Sequence, residues 1–276
     1  VSGLGYGVSD FVGGLASRRV AALRVVLVSY PVALVLLTAL SVIVGGHVST
    51  PAVVWGSLCG LSQAFGVWWF YAALAEGPMS LVSPLTAILV SGVPIVAGVV
   101  LLGERPSAVA YVGIALALVA VVLVSREVRD EPSEVKPHRF TTKVAWLTLG
   151  SGLAFGLNFV LIHQAPVDAE LWPLVFARLS ASLVVLAIAV VTGNLSVPSG
   201  VPLRLALAAG VLDTVSNVSM LLPLHASLLS LTSVLISLYP AGTVGLALIL
   251  LKERVTRWQA AGMVLALASV GLIAAG

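Results

Sequence analysis

Three ionisable side chains stand inside long apolar runs of this 276-residue sequence: Asp10, Arg178 and Asp213. A charge at the centre of a lipid bilayer costs at least ~2.5 to 3.5 kcal/mol, so such residues need a partner, a wet cavity or a function. Counting ~1.5 Å per residue, Arg178 lies ~12 Å into its run from Glu170 and Asp213 ~16 Å into its run from Pro202, both near mid-membrane depth. Asp213 and Asn217 are four residues apart on one helical face with Ser216 beside them, which presents a polar stripe to a neighbouring helix. A carboxylate there is pushed toward protonation by desolvation and toward ionisation by a nearby arginine, and a balance near neutrality lets it bind and release protons. The alternative for Arg178 and Asp213 is a static pair that fastens two helices. Asp10 reads either as a site for a substrate amine or a proton, or as a partner for Arg18 near the membrane edge.

Other polar positions are candidates beside these. Gln63 precedes the aromatic run Trp68, Trp69, Phe70, Tyr71; of these, Trp68 or Trp69 is expected to reach a cavity and stack on a cationic or apolar solute, while the others meet lipid or core. Asn158 provides a polar side chain for a shared cavity or for an interhelical hydrogen bond. Ser230, Ser233 and Ser237 repeat at helical spacing and run up to Tyr239 and Pro240; with Pro84 and Pro94 in an earlier run, they suggest kinked helices that serve as gates or as packed kinks. Glu104, Arg105, Glu253 and Arg254 read as anchors that pair or cap at run ends, with a gating role as the alternative. Gly56 with Gly60, and Gly152 with Gly156, have the spacing of close helix contacts.

The elements that must position these residues follow from composition. Hydrophobic residues make up 59% of the chain and charged residues 9%, against about 25% charge in a soluble globular chain, so lipid is the expected solvent. Ten apolar runs, at roughly 1 to 17, 22 to 44, 53 to 75, 79 to 103, 107 to 125, 143 to 164, 171 to 193, 202 to 222, 227 to 251 and 256 to 275, read as ten transmembrane helices. They are apolar on every face, unlike the alternating strands of a barrel. The charged, proline-punctuated segment 126–143 divides the chain into 1–125 and 144–276. The halves match at one offset, with Gly3, Gly7, Glu104, Arg105 and Gly113 falling on Gly152, Gly156, Glu253, Arg254 and Gly262; Ser9 falls on Asn158. A duplicated unit with five spans re-enters the membrane from the opposite side, so the expected fold is all-α, with two inverted five-helix repeats.

Several chemistries find no support. The glycines of GLGYG lack the spacing of a dinucleotide site and there is no phosphate-binding loop, so energy is expected from a gradient rather than ATP. The histidines form no zinc spacing, no serine has a GxSxG context, and Cys59 is the single cysteine. No enzyme, cofactor or metal is expected. The net charge of +3 comes from basic residues set singly between apolar runs, which suit lipid headgroups rather than nucleic acid. All lysines and arginines except Arg105 and Arg178 fall on one face if the spans alternate, and the positive-inside rule puts that face and the linker in the cytoplasm, with both termini outside. The opening at Val1 carries no signal-peptide pattern and reads as a first helix whose natural start is missing.

The LGERPSAVAYVG segment at Leu102 to Gly113, its second copy LKERVTRWQAAG at Leu251 to Gly262 and the SLYPAGTV segment at Ser237 to Val244 resemble the EamA branch of the drug/metabolite transporter superfamily. The SDFVGGLASRR pattern at Ser9 to Arg19 is similar to a bacterial subgroup of it. The resemblance covers nearly the whole chain. It implies a carrier in the bacterial inner membrane, often an exporter of amino acids or other small metabolites, driven by a proton or substrate gradient. It also implies cytoplasmic termini, the opposite of the charge count. The expectation is therefore a multi-pass secondary transporter, monomer or homodimer, working by alternating access on a small amphipathic solute. Asp10, Gln63, Trp68, Asn158, Arg178, Asp213, Asn217, Ser237 and Tyr239 are its substrate or proton positions. A phosphorylated solute would want more interior cations than Arg178 alone. The alternatives are a multidrug exporter of lipophilic cations and a membrane scaffold that transports nothing.

Overall fold

The computed structural model describes residues 2–102, 107–125, 139–225, 239–253 and 255–275. These form α1 (Ser2–Ser17), α2 (Ala22–Val44), α3 (Thr50–Glu76), α4 (Met79–Leu102), α5 (Ala108–Ser125), α6 (Thr142–His163), α7 (Trp172–Val191), α8 (Val201–His225), α9 (Tyr239–Leu250) and α10 (Arg257–Ala275), with a 3-10 turn at Val167–Ala169. Local signals set several boundaries. The Ser49 hydroxyl accepts the amide of Ala52 and Pro51 follows at the first turn, starting α3; Thr141 does the same for Val144 at α6. Gly45 ends α2 with φ 90°, a backbone region that a side chain would strain.

Burial runs opposite to that of a water-soluble domain. Val35, Leu118 and Leu183 expose 68%, 66% and 58% of their surface, while Arg178 exposes 3%. Among the described residues, α2, α3, α6, α7 and the first part of α8 are long and apolar enough to cross a membrane. The chain is an all-helical, multi-pass membrane protein. Its interior is built from alanine, glycine and serine, which let backbones approach where no hydrophobic force drives helices together. Gly56 and Gly60 of α3 lie against Pro173 and Ala177 of α7, and Gly152 and Gly156 of α6 against Leu89 and Val93 of α4.

The main packing partners are α3 with α6 and α7, α8 with α1 and α2, α4 with α6, α1 with α9, α2 with α7, α4 with α9, and α5 with α10. Exchanging each helix for the one five places along returns the same set, while the further contact of α4 with α10 has no counterpart of this kind among the described residues. The polar cluster described below sits where α1, α2, α3, α7 and α8 converge.

Ties across chain segments mark both ends of the bundle. At one end, rich in arginine, Arg18 after α1 donates to the carbonyls of Leu74 and Gly77 at the end of α3 and forms a 2.8 Å ion pair with Glu253 after α9. Glu253 also accepts the amides of Met79 and Ser80 and the Ser80 hydroxyl, capping α4. The exposed pair Lys143–Glu76 joins α6 to α3 at the same end. At the other end the amide of His47 donates to the carbonyl of Asp168. Partial burial works against ionised Glu253, but hydrogen bonds from the Ser80 amide, Arg18, the Ser80 hydroxyl and the Met79 amide outweigh it and hold its pKa below the usual carboxylate range.

Two outcomes follow from this packing. Gly60→Leu drives a side chain into the Ala177 carbonyl and the Ser180 hydroxyl of α7 and costs about 1 to 3 kcal/mol, whereas Gly92→Ala, with open space around it, leaves the midpoint of thermal unfolding in detergent unchanged or slightly raised. The lowered pKa of Glu253 means that its ionised form stabilises the fold above its unfolded pKa and that this contribution is lost as pH falls through the folded value. Glu253→Gln therefore destabilises by about 1.5 to 3 kcal/mol at neutral pH, and denaturation curves of variant and parent converge in acid.

Candidate functional site

The centre of the bundle holds one arginine and two aspartates. Arg178, on the face of α7 turned to α2 and α8, is placed by the Gly56 and Gly60 contacts that bring α3 close to α7. Its Nη2 donates to Asp213 Oδ2 of α8 at 2.5 Å. The guanidinium also lies over the Tyr30 ring of α2, 4.8 Å from the centroid, a cation–π contact that is strong where water is excluded. Tyr30 is held in turn by its hydroxyl, which donates to the backbone carbonyl of Gln63 at 3.3 Å. Arg178 is thus neutralised by a carboxylate and covered by a ring. Asp213 keeps 25% of its side chain exposed, so the pair is open on the Asp213 side.

Asp10 of α1 lies within electrostatic reach of Asp213. It is half-buried, and no described residue donates a hydrogen bond to it or pairs with it; Arg18 is turned to Glu253 instead. The Ser9 hydroxyl donates to the carbonyl of Ala209, and the Thr243 hydroxyl to the carbonyl of Gly7, which lock α1 between α8 and α9. Gly13 of α1 leaves room for the Tyr71 ring and hydroxyl, and Tyr71 and Tyr6 both lie within electrostatic reach of Asp10, Asp213 and Arg178. The cluster therefore holds two carboxylates and one cation among three tyrosines, so its formal charge is one negative when both acids are ionised.

The remaining candidates fall in several places. The Asn217 amide donates to the Asp213 backbone carbonyl at 2.8 Å, on the same stripe of α8. The Asn158 amide donates to the Cys59 carbonyl and sulfur, at 3.0 and 2.8 Å, and Ser62 donates to the carbonyl of Ala154; these bonds join α6 to α3. The Gln63 side chain is half-buried one turn from Cys59. Trp68 lines a groove of about 580 Å³ at the arginine-rich end, together with Arg18, Arg19, Leu23, Glu76 and Asn194. Trp69 stacks on Phe65 at 5.4 Å. It is Tyr71, the member of the aromatic run assigned to lipid or core, that reaches the acids. Ser230, Ser233 and Ser237, with Glu104, Arg105 and Arg254, lie outside the described residues, and of Tyr239 only the backbone is described, at the start of α9.

Tyr6, Tyr30 and Cys59 were not among the sequence candidates. A tyrosine inside an apolar run is an ambiguous signal, because the same residue type belongs at the membrane interface. Counting depth from the run ends would have marked Tyr30, eight residues into α2 and roughly 12 Å deep.

Such a cluster presents a carboxylate that could meet a cation at Asp10 and a guanidinium that could meet an anion at Arg178.

The EamA-like transporter family matches residues 1–126 and 142–275. No curated protein matches. Among solved structures, a crystal structure described only as that of a protein shares the fold with a TM-score of 0.56 at 14% identity, over 98% of this chain and 94% of the other. The two matched segments together take in almost all of the sequence, and on that match this multi-pass helical protein belongs to the EamA-like transporter family.

Proposed function

We propose that the protein is a secondary transporter that exports small amphipathic metabolites such as amino acids, in exchange for protons, through alternating access of the Asp10–Arg178–Asp213 cluster. The observation that carries this reading is a carboxylate with no partner among the described residues, Asp10, beside an ion pair that is open on one side, in the middle of an apolar bundle. Buried charges that only fasten helices come in neutralised sets, and an extra acid is retained where something must bind to it. An amino acid answers both halves of the cluster. Its carboxylate takes one edge of the Arg178 guanidinium and its ammonium group lies between Asp10 and Asp213; a proton taken up by Asp213 from outside weakens the hold on the ammonium group and expels the solute, so proton and solute occupy the site in turn. Proton release toward the cytoplasm restores the Asp213 charge and readies the site for the next solute.

The exchange symmetry of the packing supports two five-helix halves related by inversion, 1–125 and 144–276, with 126–143 as linker. The end of α1 and the start of α6 lie at the same end of the bundle, by the Arg18 and Lys143 ties, which supports two copies running in opposite senses. We place the protein in the bacterial cell membrane, as monomer or homodimer, with the arginine-rich end and linker cytoplasmic by the positive-inside rule. A second reading, export of lipophilic cations, is favoured by the aromatic rings of Tyr30 and Tyr71 and by the surplus negative charge.

In proteoliposomes with an imposed pH gradient, a panel of amino acids and quaternary ammonium dyes separates the two readings. Amino-acid counterflow that falls at least about 10-fold in both Asp10→Asn and Arg178→Gln supports the first; dye flux that needs Asp10 but not Arg178 supports the second. Asp213→Asn loses the pH dependence of flux, and the double variant Arg178→Gln/Asp213→Asn, which removes both charges of the pair together, separates lost transport from lost folding. Flux and pH dependence intact in Asp213→Asn would refute the proton role. Cysteines placed in the Val1 end and in the linker should be modified from opposite sides of the membrane, the linker from the cytoplasmic side.

A further inference from the structure

The transporter reading leaves open how a solute reaches the central cluster from the arginine-rich end, and two buried hydroxyls bear on it. Helical hydroxyls in this bundle satisfy themselves on the carbonyl one turn back, as Ser17, Thr38, Ser41, Thr148, Ser182 and Thr214 do at 2.7 to 2.9 Å. Ser83 and Thr86 of α4 are the exceptions: both are fully buried, and neither hydroxyl has a hydrogen-bond partner. A buried hydroxyl without a partner costs about 1 to 3 kcal/mol, and water or a passing polar solute removes that cost.

Their position is informative. Helical spacing puts Ser83 and Thr86 on the same face of α4 as Met79 and Val82, and those two residues pack in the core cluster that includes Phe11 of α1 and Leu74 of α3. Helices α1 and α4 both pack on α3 and α9 more than on each other, and they meet at the arginine-rich end, where Met79 covers Gly14 and Glu253 bridges Arg18 to the start of α4. Ser83 and Thr86 lie about 4.5 and 9 Å deeper than Ser80, and Asp10 lies about 12 Å deeper than Arg18, on the rise of ~1.5 Å per residue. The hydroxyls thus stand between the tie and the depth of the acids. The tie itself joins segments from opposite halves of the chain, and the position that matches Arg18 in the second copy is Val167, so the arginine of this device has no counterpart at the other end.

We propose that the space between α1 and α4, lined by Ser83 and Thr86, is the path from the arginine-rich end to the central cluster, and that the Arg18–Glu253 pair is its gate. The proposal rests on the transporter reading. Breaking the pair releases the turn between α3 and α4 from Arg18, and the first turns of α4 swing away from α1 about Pro84. Closed, the pair seals the path with four hydrogen bonds into one carboxylate; open, it exposes hydroxyls that hydrate a polar solute.

The test is thiol accessibility in proteoliposomes. Cys59→Ser removes the native thiol, and Ser83→Cys and Thr86→Cys report separately on the path, with a membrane-impermeant cationic methanethiosulfonate added from the arginine-rich side. With the pair intact, modification is slow. Arg18→Gln and Glu253→Gln each raise its rate about 10-fold or more, because the charge-assisted bonds that favour the closed state are gone; Lys143→Gln, which breaks the exposed ion pair at the same end, does not. Rates unchanged in both gate variants, in protein that remains monodisperse and retains its helical circular dichroism, would overturn the gate. Gate-dependent modification in vesicles that move no solute would instead sink the transporter reading and leave the device standing, and flux with gate-independent modification does the reverse.

Discussion

Every arrangement in this bundle answers one constraint: a charge in hydrocarbon must be matched or used. Arg178 is matched twice, by the Asp213 carboxylate and by the face of Tyr30. That pairing dictates the approach of α7 to α2 and α8, and the small residues of α3 follow from it, since Gly56 and Gly60 let α3 back the helix that bears the arginine. The pair is open on one side, and Asp10 adds a second acid within its field. A neutral bundle of the same size would be more stable without Asp10, so its presence is the strongest chemical statement the chain makes.

The same physics acts differently at the ends. There water competes for charges, and the exposed Lys143–Glu76 pair holds little. Glu253 is withdrawn from water and saturated by the start of α4 and by Arg18, which makes it a mechanical joint between two segments far apart in sequence. One chain thus carries two kinds of ion pair: a deep one open on one side beside a second acid, and a peripheral one that fixes where helices end.

Much of this was legible in the residues. Composition alone places the chain in lipid, and Asp10, Arg178, Asp213 and Asn217 stand out because the bilayer makes an interior charge costly. Matched glycines and Glu-Arg pairs at a fixed offset reveal a duplication. Four adjacent large rings carry no signal for which one reaches the acids; Tyr71 does so from the core because Gly13 of α1 leaves the space for it. Glu253 looked like a simple interfacial anchor because its partners, Arg18 and Ser80, are 235 and 173 residues away.

The sequence by itself determined the solvent, the helical class and which residues are chemically exceptional, since each depends on the free energy of single residues or single spans. Only the tertiary structure decided which exceptional residues meet. A span that is apolar on every face has no preferred rotation, so its inward side is chosen by where small residues let a neighbour approach. That choice paired Arg178 with Asp213, left Asp10 open, sent Trp68 to the rim and turned Arg18 away from Asp10 to Glu253.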